Sequence, residues 1–207
     1  MRRSSPFVLA VLLALAATAC GPSEEPADAP RAADPAEVDP AADAPADPQG
    51  YEALIGSADG ITVIGADGTQ TVVAFQTDQP DVLAALVPFL GEPLSDTLNE
   101  ECPAGPTAAV EWANGLTLHF AADLDVRSLA GWHMHGDDER LQGPEGIQLG
   151  TPRDILGATP SVEMMEDSSL GDEFAVGAAS DDGTVVGGLL EGPLVTDLYA
   201  GLNCFAR

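Results

Sequence analysis

The chain has 207 residues, with 34 acidic side chains against seven arginines, three histidines and no lysine, for a formal net charge of -27. That balance repels phosphate backbones, whose recognition rests on cationic side chains, and it repels anionic lipid headgroups, so nucleic acid is excluded as a partner. Without lysine there is no P-loop, Schiff base or Ser-x-x-Lys nucleophile, and no Gly-x-Ser-x-Gly, His-Glu-x-x-His or post-strand Gly-x-Gly-x-x-Gly motif is present.

Residues 1–19 predict a secretory signal. Arg2 and Arg3 form a charged start, Phe7 to Leu15 is apolar, and Ala17-Thr18-Ala19 supplies the small residues before cleavage. The apolar run is shorter than the roughly 20 residues a membrane-crossing helix needs. Ala17-Thr18-Ala19-Cys20 resembles the lipobox of bacterial lipoproteins, with Ala17 where leucine is usual. The resemblance implies that Cys20 receives diacylglycerol and becomes the new amino terminus. Each acyl chain then contributes about 0.8 kcal/mol per buried CH₂ to anchoring, and several together hold stably. Lipoproteins kept at the inner of two membranes usually carry aspartate after the cysteine, so Gly21 implies the outer one where a cell has it. The expected location is therefore exported and lipid-anchored to the cell membrane or outer membrane, with the remaining chain facing periplasm or exterior. Cleavage leaves five arginines against 34 acids, near -29. Cations, basic protein surfaces or neutral molecules are the partners such a charge admits, and it also favours solubility.

Residues 20–50 form a tether. From Gly21 nearly every residue is Pro, Ala, Asp or Glu, as in Asp43-Ala-Pro-Ala-Asp-Pro48. Repeated prolines block helix and like charges hold the segment open, so it would reach on the order of 90 Å at about 3.1 Å per residue.

Residues 51–207 are long enough for a core of their own. Ile61–Ile64 and Thr71–Phe75 flank Gly65-Ala-Asp-Gly68, a hairpin signal. A helix is predicted over Gln79–Leu90, with Asp78 as cap, Pro80 in its first turn, Val82, Leu83, Leu86 and Leu90 on one face, and Gly91-Glu-Pro93 as its end. Val110–Trp112, the turn Asn114-Gly115 and Leu116–Phe120 alternate as strands, with Leu116, Leu118 and Phe120 inward and Thr117 and His119 outward. Ala130–Met134 reads as the partner strand, Trp132 and Met134 inward.

The pattern then restarts. Gly146–Leu156 predicts a strand end, a cap at Thr151, Pro152 at the first helical position and Asp154 at the third. Asp81-Val-Leu83 matches Asp154-Ile-Leu156 at an offset of 73 residues. Strands follow over Glu173–Val176, Val185–Leu190 and Val195–Phe205, with a turn at Asp181-Asp-Gly183. The expected fold class is α+β, with two tandem similar halves (51–142 and 143–207), each a short helix followed by antiparallel strands; chance similarity is the rival reading. Gly146-Ile-Gln-Leu-Gly-Thr-Pro-Arg-Asp-Ile-Leu156 resembles the strand-Gly-Thr/Ser-helix opening of the beta-lactamase inhibitor protein-like fold and of the small outer-membrane assembly lipoproteins. That resemblance spans roughly residues 61–205 and implies a non-catalytic binding module for a protein or envelope component.

Once Cys20 is lipidated, Cys102 and Cys204 remain, and two cysteines in one exported domain most often pair. Without a Cys-x-x-Cys spacing, redox activity is the less favoured reading. All three histidines fall between His119 and His135. If Leu116–Phe120 pairs with Ala130–Met134, then His119 and His133 face each other on the solvent side and His135 follows on the same side. Three imidazoles so placed would hold a divalent transition metal, zinc or copper, with a position left open. The alternative is a polar outer face with three ordinary histidines. The Asp-Gly sites at Asp59, Asp67 and Asp182, with Asp123 and Asp125, fit hairpin turns better than the EF-hand spacing. No catalytic constellation emerges.

Overall fold

A computed structural model describes residues 50–123, 126–165, 167–177 and 183–204. The signal segment, Cys20, nearly all of the tether, Asp125, Asp181, Asp182 and Phe205 lie outside the described residues. Among the described residues, no helix is long and apolar enough to cross a membrane.

The chain opens with three antiparallel strands, β1 (Tyr51–Ser57), β2 (Gly60–Gly65) and β3 (Gln70–Ala74), followed by helix α1 (Gln79–Leu90). Four strands come next: β4 (Ser95–Asn99), β5 (Thr107–Glu111), β6 (Leu116–Asp123) and β7 (Val126–His135). The short β8 (Leu141–Gln142) and a 3-10 turn at Pro144–Gly146 lead into α2 (Arg153–Ala158). Four more strands finish the domain: β9 (Val162–Met165), β10 (Glu173–Val176), β11 (Val186–Glu191) and β12 (Leu194–Gly201). Two sheets result, one ordered β3-β2-β1-β8 and one of eight strands ordered β4-β5-β6-β7-β12-β11-β10-β9. Pairing is antiparallel throughout both sheets except between β1 and β8. The molecule is thus a sheet-rich α+β protein.

Alternation decides what faces inward. Leu116, Leu118, Phe120, Trp132 and Met134 are all fully buried on one face of the large sheet, as a period of two requires. Packed on that face are Leu54, Ile61 and Val63 of the small sheet, Val82 and Leu86 of α1, and Leu156 of α2, in one continuous core. Trp132 anchors the sheets to each other: its Nε1 donates to the Ser57 carbonyl at 2.9 Å. Its ring lies so close to Gly56 that a Cβ there would collide with it.

Both helix starts differ from expectation. α1 has the expected span, and its helix continues through Pro88, but Asp78 makes no side-chain capping bond. Its backbone is engaged instead in an isolated antiparallel bridge to Ser128. At α2, Pro152 precedes the helix and does not open it, and the helix has only six residues. The Thr151 hydroxyl accepts from the Gln148 N–H at 2.9 Å, closing the preceding turn, so it too is diverted from capping. Pro152 bridges to Leu194. In each case the chain just before the helix is held by a strand of the large sheet. The last strand ends at Gly201, short of Phe205.

Candidate functional site

Strand registry lines up a straight row of residues across the outer face of the large sheet, the one turned away from the helices. Ser95 pairs with Glu111, Glu111 with Thr117, Thr117 with His133, and His133 with Tyr199. Tyr199 then pairs with Gly187, Gly187 with Ala175, and Ala175 with Glu163. A neighbouring row runs His135, Asp197, Leu189, Glu173 and Met165.

This register corrects the expected histidine cluster. His119 pairs with Gly131, and His133 with Thr117, so His119 and His133 are displaced diagonally by one alternation. A bulge between His119 and Phe120 offsets the pairing beyond it. His133 and His135 do approach, with ring centroids 5.3 Å apart and planes tilted by 35°. His133 Nε2 lies 2.8 Å from Asp197 Oδ1. Among the described residues no three His, Cys, Asp or Glu side chains form a group that could hold a metal ion, so His119, His133 and His135 do not assemble the metal site their spacing suggested.

Nor do His119 and Thr117 face solvent as expected. Thr117 is buried, and His119 Nδ1 is enclosed with no hydrogen-bond partner. Burial, with a smaller contribution from the charge of His133, pushes the His119 imidazole down to about 4, because a cation out of water lacks solvation. The segment after β12 runs close by. The Leu202 N–H donates to the Ala130 carbonyl at 2.8 Å, and the Leu202 carbonyl oxygen occupies the space a Cβ on Gly131 would need. Since Gly131 is the partner of His119, Leu202 passes over the outer face beside that histidine. Two residues later Cys204 is disulfide-bonded to Cys102, their Cα atoms 5.6 Å apart. The expected Cys102–Cys204 pair is therefore present, and it ties the segment after β12 to the loop between β4 and β5.

Acidic side chains on this face are held by imidazole and hydroxyl donors. Glu173 accepts from Tyr199 Oη and Ser168 Oγ, and Glu111 accepts from Ser95 Oγ at 3.1 Å. Burial and the bond to Glu173 push the Tyr199 phenol up. For Asp197, burial works upward, yet the bonds from His133 and Thr196 and the charges of His133 and His135 hold its carboxyl below the ordinary range. Among the described residues the guanidinium groups are engaged elsewhere: Arg127 with Asp96, Arg140 with Asp138 and Arg153 with Asp172.

A cleft of about 600 Å³ opens at the rim of the face, where His135 meets Tyr51, Asn114, Asp137, Asp138 and Arg140. Tyr51 Oη donates to Asp138 Oδ2 and accepts from Asn114 Nδ2, both at 2.7 Å, while the Arg140 guanidinium lies 4.2 Å from the Tyr51 ring centre. Burial is the main cause that pushes Tyr51 up to about 12, while the bonds from Arg140 hold Asp138 below the usual range. Tyr51, Asn114, Asp197, Tyr199 and Glu173 carry no motif, and only the pairing of distant strands brings them near the histidines. The arrangement presents oriented acceptors on a partly exposed surface. Compared with known proteins, the chain matches no family model, no curated protein and no solved structure.

Proposed function

We propose that this is an exported lipoprotein, acylated at Cys20, whose residues 51–207 form a non-catalytic binding domain for a protein or envelope component, held off the membrane by the 20–50 tether. The observation that carries the reading is the asymmetry of the eight-stranded sheet. One face is filled by both helices and the small sheet, while the other carries Tyr199, His133, His135, Asp197 and Glu173 in a partly exposed state. A sheet normally hides one face and solvates the other; here the solvated face is lined with held, directional acceptors.

We also read the domain as two tandem units of the beta-lactamase inhibitor protein-like kind. In support, α1 precedes β4-β5-β6-β7 and α2 precedes β9-β10-β11-β12, and the two sets meet at β7 and β12 in mirrored order. Asp78, just before α1, bridges to β7, and Pro152, just before α2, bridges to β12. Thus each helix start is fastened to the last strand of its own unit.

The test uses the full chain and its Cys20→Ser variant. The native chain should partition with membranes into detergent and enrich a defined partner from crosslinked envelope extract; the variant should leave the membrane fraction. Retention of Cys20→Ser on membranes would overturn the anchor, and a crosslinked sample that never enriches a partner would overturn the binding role.

A further inference from the structure

We infer that the free edge of β3 accepts an added strand from another protein, an extended segment with β-branched side chains at its centre and lysine or arginine at both ends. This goes beyond the binding reading above and uses a different surface from the outer face of the large sheet. The four sheet edges are not alike. β8 has two residues and Gln142 is bridged to Gln148, β4 carries Asp96, and β9 is four residues long and carries Glu163. Charges and short length are the usual protections of an edge. β3, Gln70-Thr-Val-Val-Ala74, has five residues with neither charge nor proline, and Val72 is 71% exposed.

The backbone of β3 is set for pairing. The Gly65 N–H donates to the Thr69 carbonyl and the Phe75 N–H to the Asp59 carbonyl, both at 2.8 Å, so the odd-numbered residues of β3 turn their polar groups to β2. By alternation Gln70, Val72 and Ala74 turn theirs to the other side. The Ala74 carbonyl is taken by the Thr77 N–H, and among the described residues β3 has no strand neighbour besides β2. Strand addition at such an edge draws affinity from main-chain bonds and specificity from alternate side chains. Beside Val72 on the same face, Thr62 and Ile55 continue an uncharged row. Charge complementarity sets the ends of the occupant. Exposed Asp67 lies in the turn before β3, its carboxyl held below the ordinary range by the Thr69 N–H and hydroxyl, and exposed Asp59 lies beside Phe75. No lysine or arginine occurs from residue 50 to 126. A second copy fits less well, since antiparallel pairing about Val72 brings the Asp67 end of one chain to the Asp59 end of the other. The strand's five residues are also far fewer than the roughly 20–30 a side of a stable dimer.

The experiment titrates the full chain with a labelled peptide of about nine residues, long enough to cover β3 and overhang it, with a Thr/Val centre and Lys/Arg ends. Two peptides of equal length serve as comparisons, one with a Gly/Ser centre and Lys/Arg ends, the other with a Thr/Val centre and Glu ends. The first should bind at least about tenfold more tightly than either comparison and shift the amide resonances of Gln70, Val72 and Ala74. Val72→Pro removes a donor that faces the free edge while sparing the bonds to β2, and should weaken binding about tenfold; Val72→Thr should bind as the native chain does. Equal affinity for the Gly/Ser-centred peptide, shifts confined to other residues, or undiminished binding by Val72→Pro would each overturn the site. Sedimentation of the native chain alone should show no dimer that Val72→Pro abolishes; such a dimer would assign the edge to a second copy and overturn the proposal. Circular dichroism of both variants excludes unfolding as the cause. Partner capture by the native chain is read separately, so this inference can fail while the binding role stands.

Discussion

His119 sits where simple alternation assigns a side chain to water, yet its Nδ1 is enclosed and unpartnered, and the segment after β12 lies against its strand partner Gly131. Its imidazole stays neutral in the fold until about pH 4, whereas in the unfolded chain it takes a proton near pH 6.5. The unfolded state therefore binds more protons between those values. Stability is complete above pH 6.5 and falls on acidification toward pH 4, by roughly 3 kcal/mol at most. Urea unfolding across this range should show the fall in the native protein and a much flatter profile in His119→Gln; matching profiles would contradict the burial argument. Asp138 and Asp197, both held below the ordinary carboxylate range, add a further loss at lower pH, when acid reaches their depressed folded values. Trp132 is the other residue whose loss should be felt strongly, since it is fully buried and bonded to Ser57 across the two sheets. Trp132→Ala should cost about 3–5 kcal/mol, and Gly56→Ala about 1–3 kcal/mol through overpacking against the same ring, both read from denaturant midpoints.

At the scale of elements, the segment after β12 behaves as a strap whose far end is fixed by the Cys102–Cys204 bond, 102 residues apart in sequence. Closing a loop of that size restricts the unfolded chain by about 4.7 kcal/mol on the chain-entropy account. The double variant Cys102→Ser, Cys204→Ser should lose stability of that order. It should also let the strap lift, so that the His119 resonance titrates closer to pH 6.5; a titration still near pH 4 would show that the strap holds without its bond. Short elements were the hardest to read from the residues. The β2–β3 hairpin and α1 were legible because Asp-Gly, Pro80 and a full apolar face coincide. β4 was not, because Ser95-Asp-Thr-Leu-Asn99 is an exposed edge strand with no apolar alternation to betray it. β9 was missed for a similar reason: it is four residues long at the opposite edge. Asp78 holds the N-cap position of α1 without a side-chain capping bond, whereas Thr151 is not the cap of α2: its hydroxyl closes the preceding turn with the Gln148 N–H, and Pro152 takes the cap position.

For the molecule as a whole, a charge of -27 with the described arginines already paired implies self-repulsion in the compact state. Raising NaCl from low to about 0.5 M, where the screening length shrinks to a few ångström, should raise the melting temperature by several degrees. An unchanged or lower value would mean that the three arginine–aspartate pairs outweigh the repulsion. The residues alone sufficed for the charge, for the apolar sides of β6 and β7, for the span of α1 and for the cysteine pairing, because each rests on composition or on local periodicity. They were insufficient for the site. His119, His133 and His135 are near in sequence, but the pairing of β6 with β7 sets His119 on a diagonal to His133, and the His119 Nδ1 is enclosed. The face on which His133 meets Asp197 and Tyr199 arises from β7 joining β12 more than 60 residues away. Such pairing depends on which sheet edge remains available after the core has closed, a property of the packed chain that no local pattern contains.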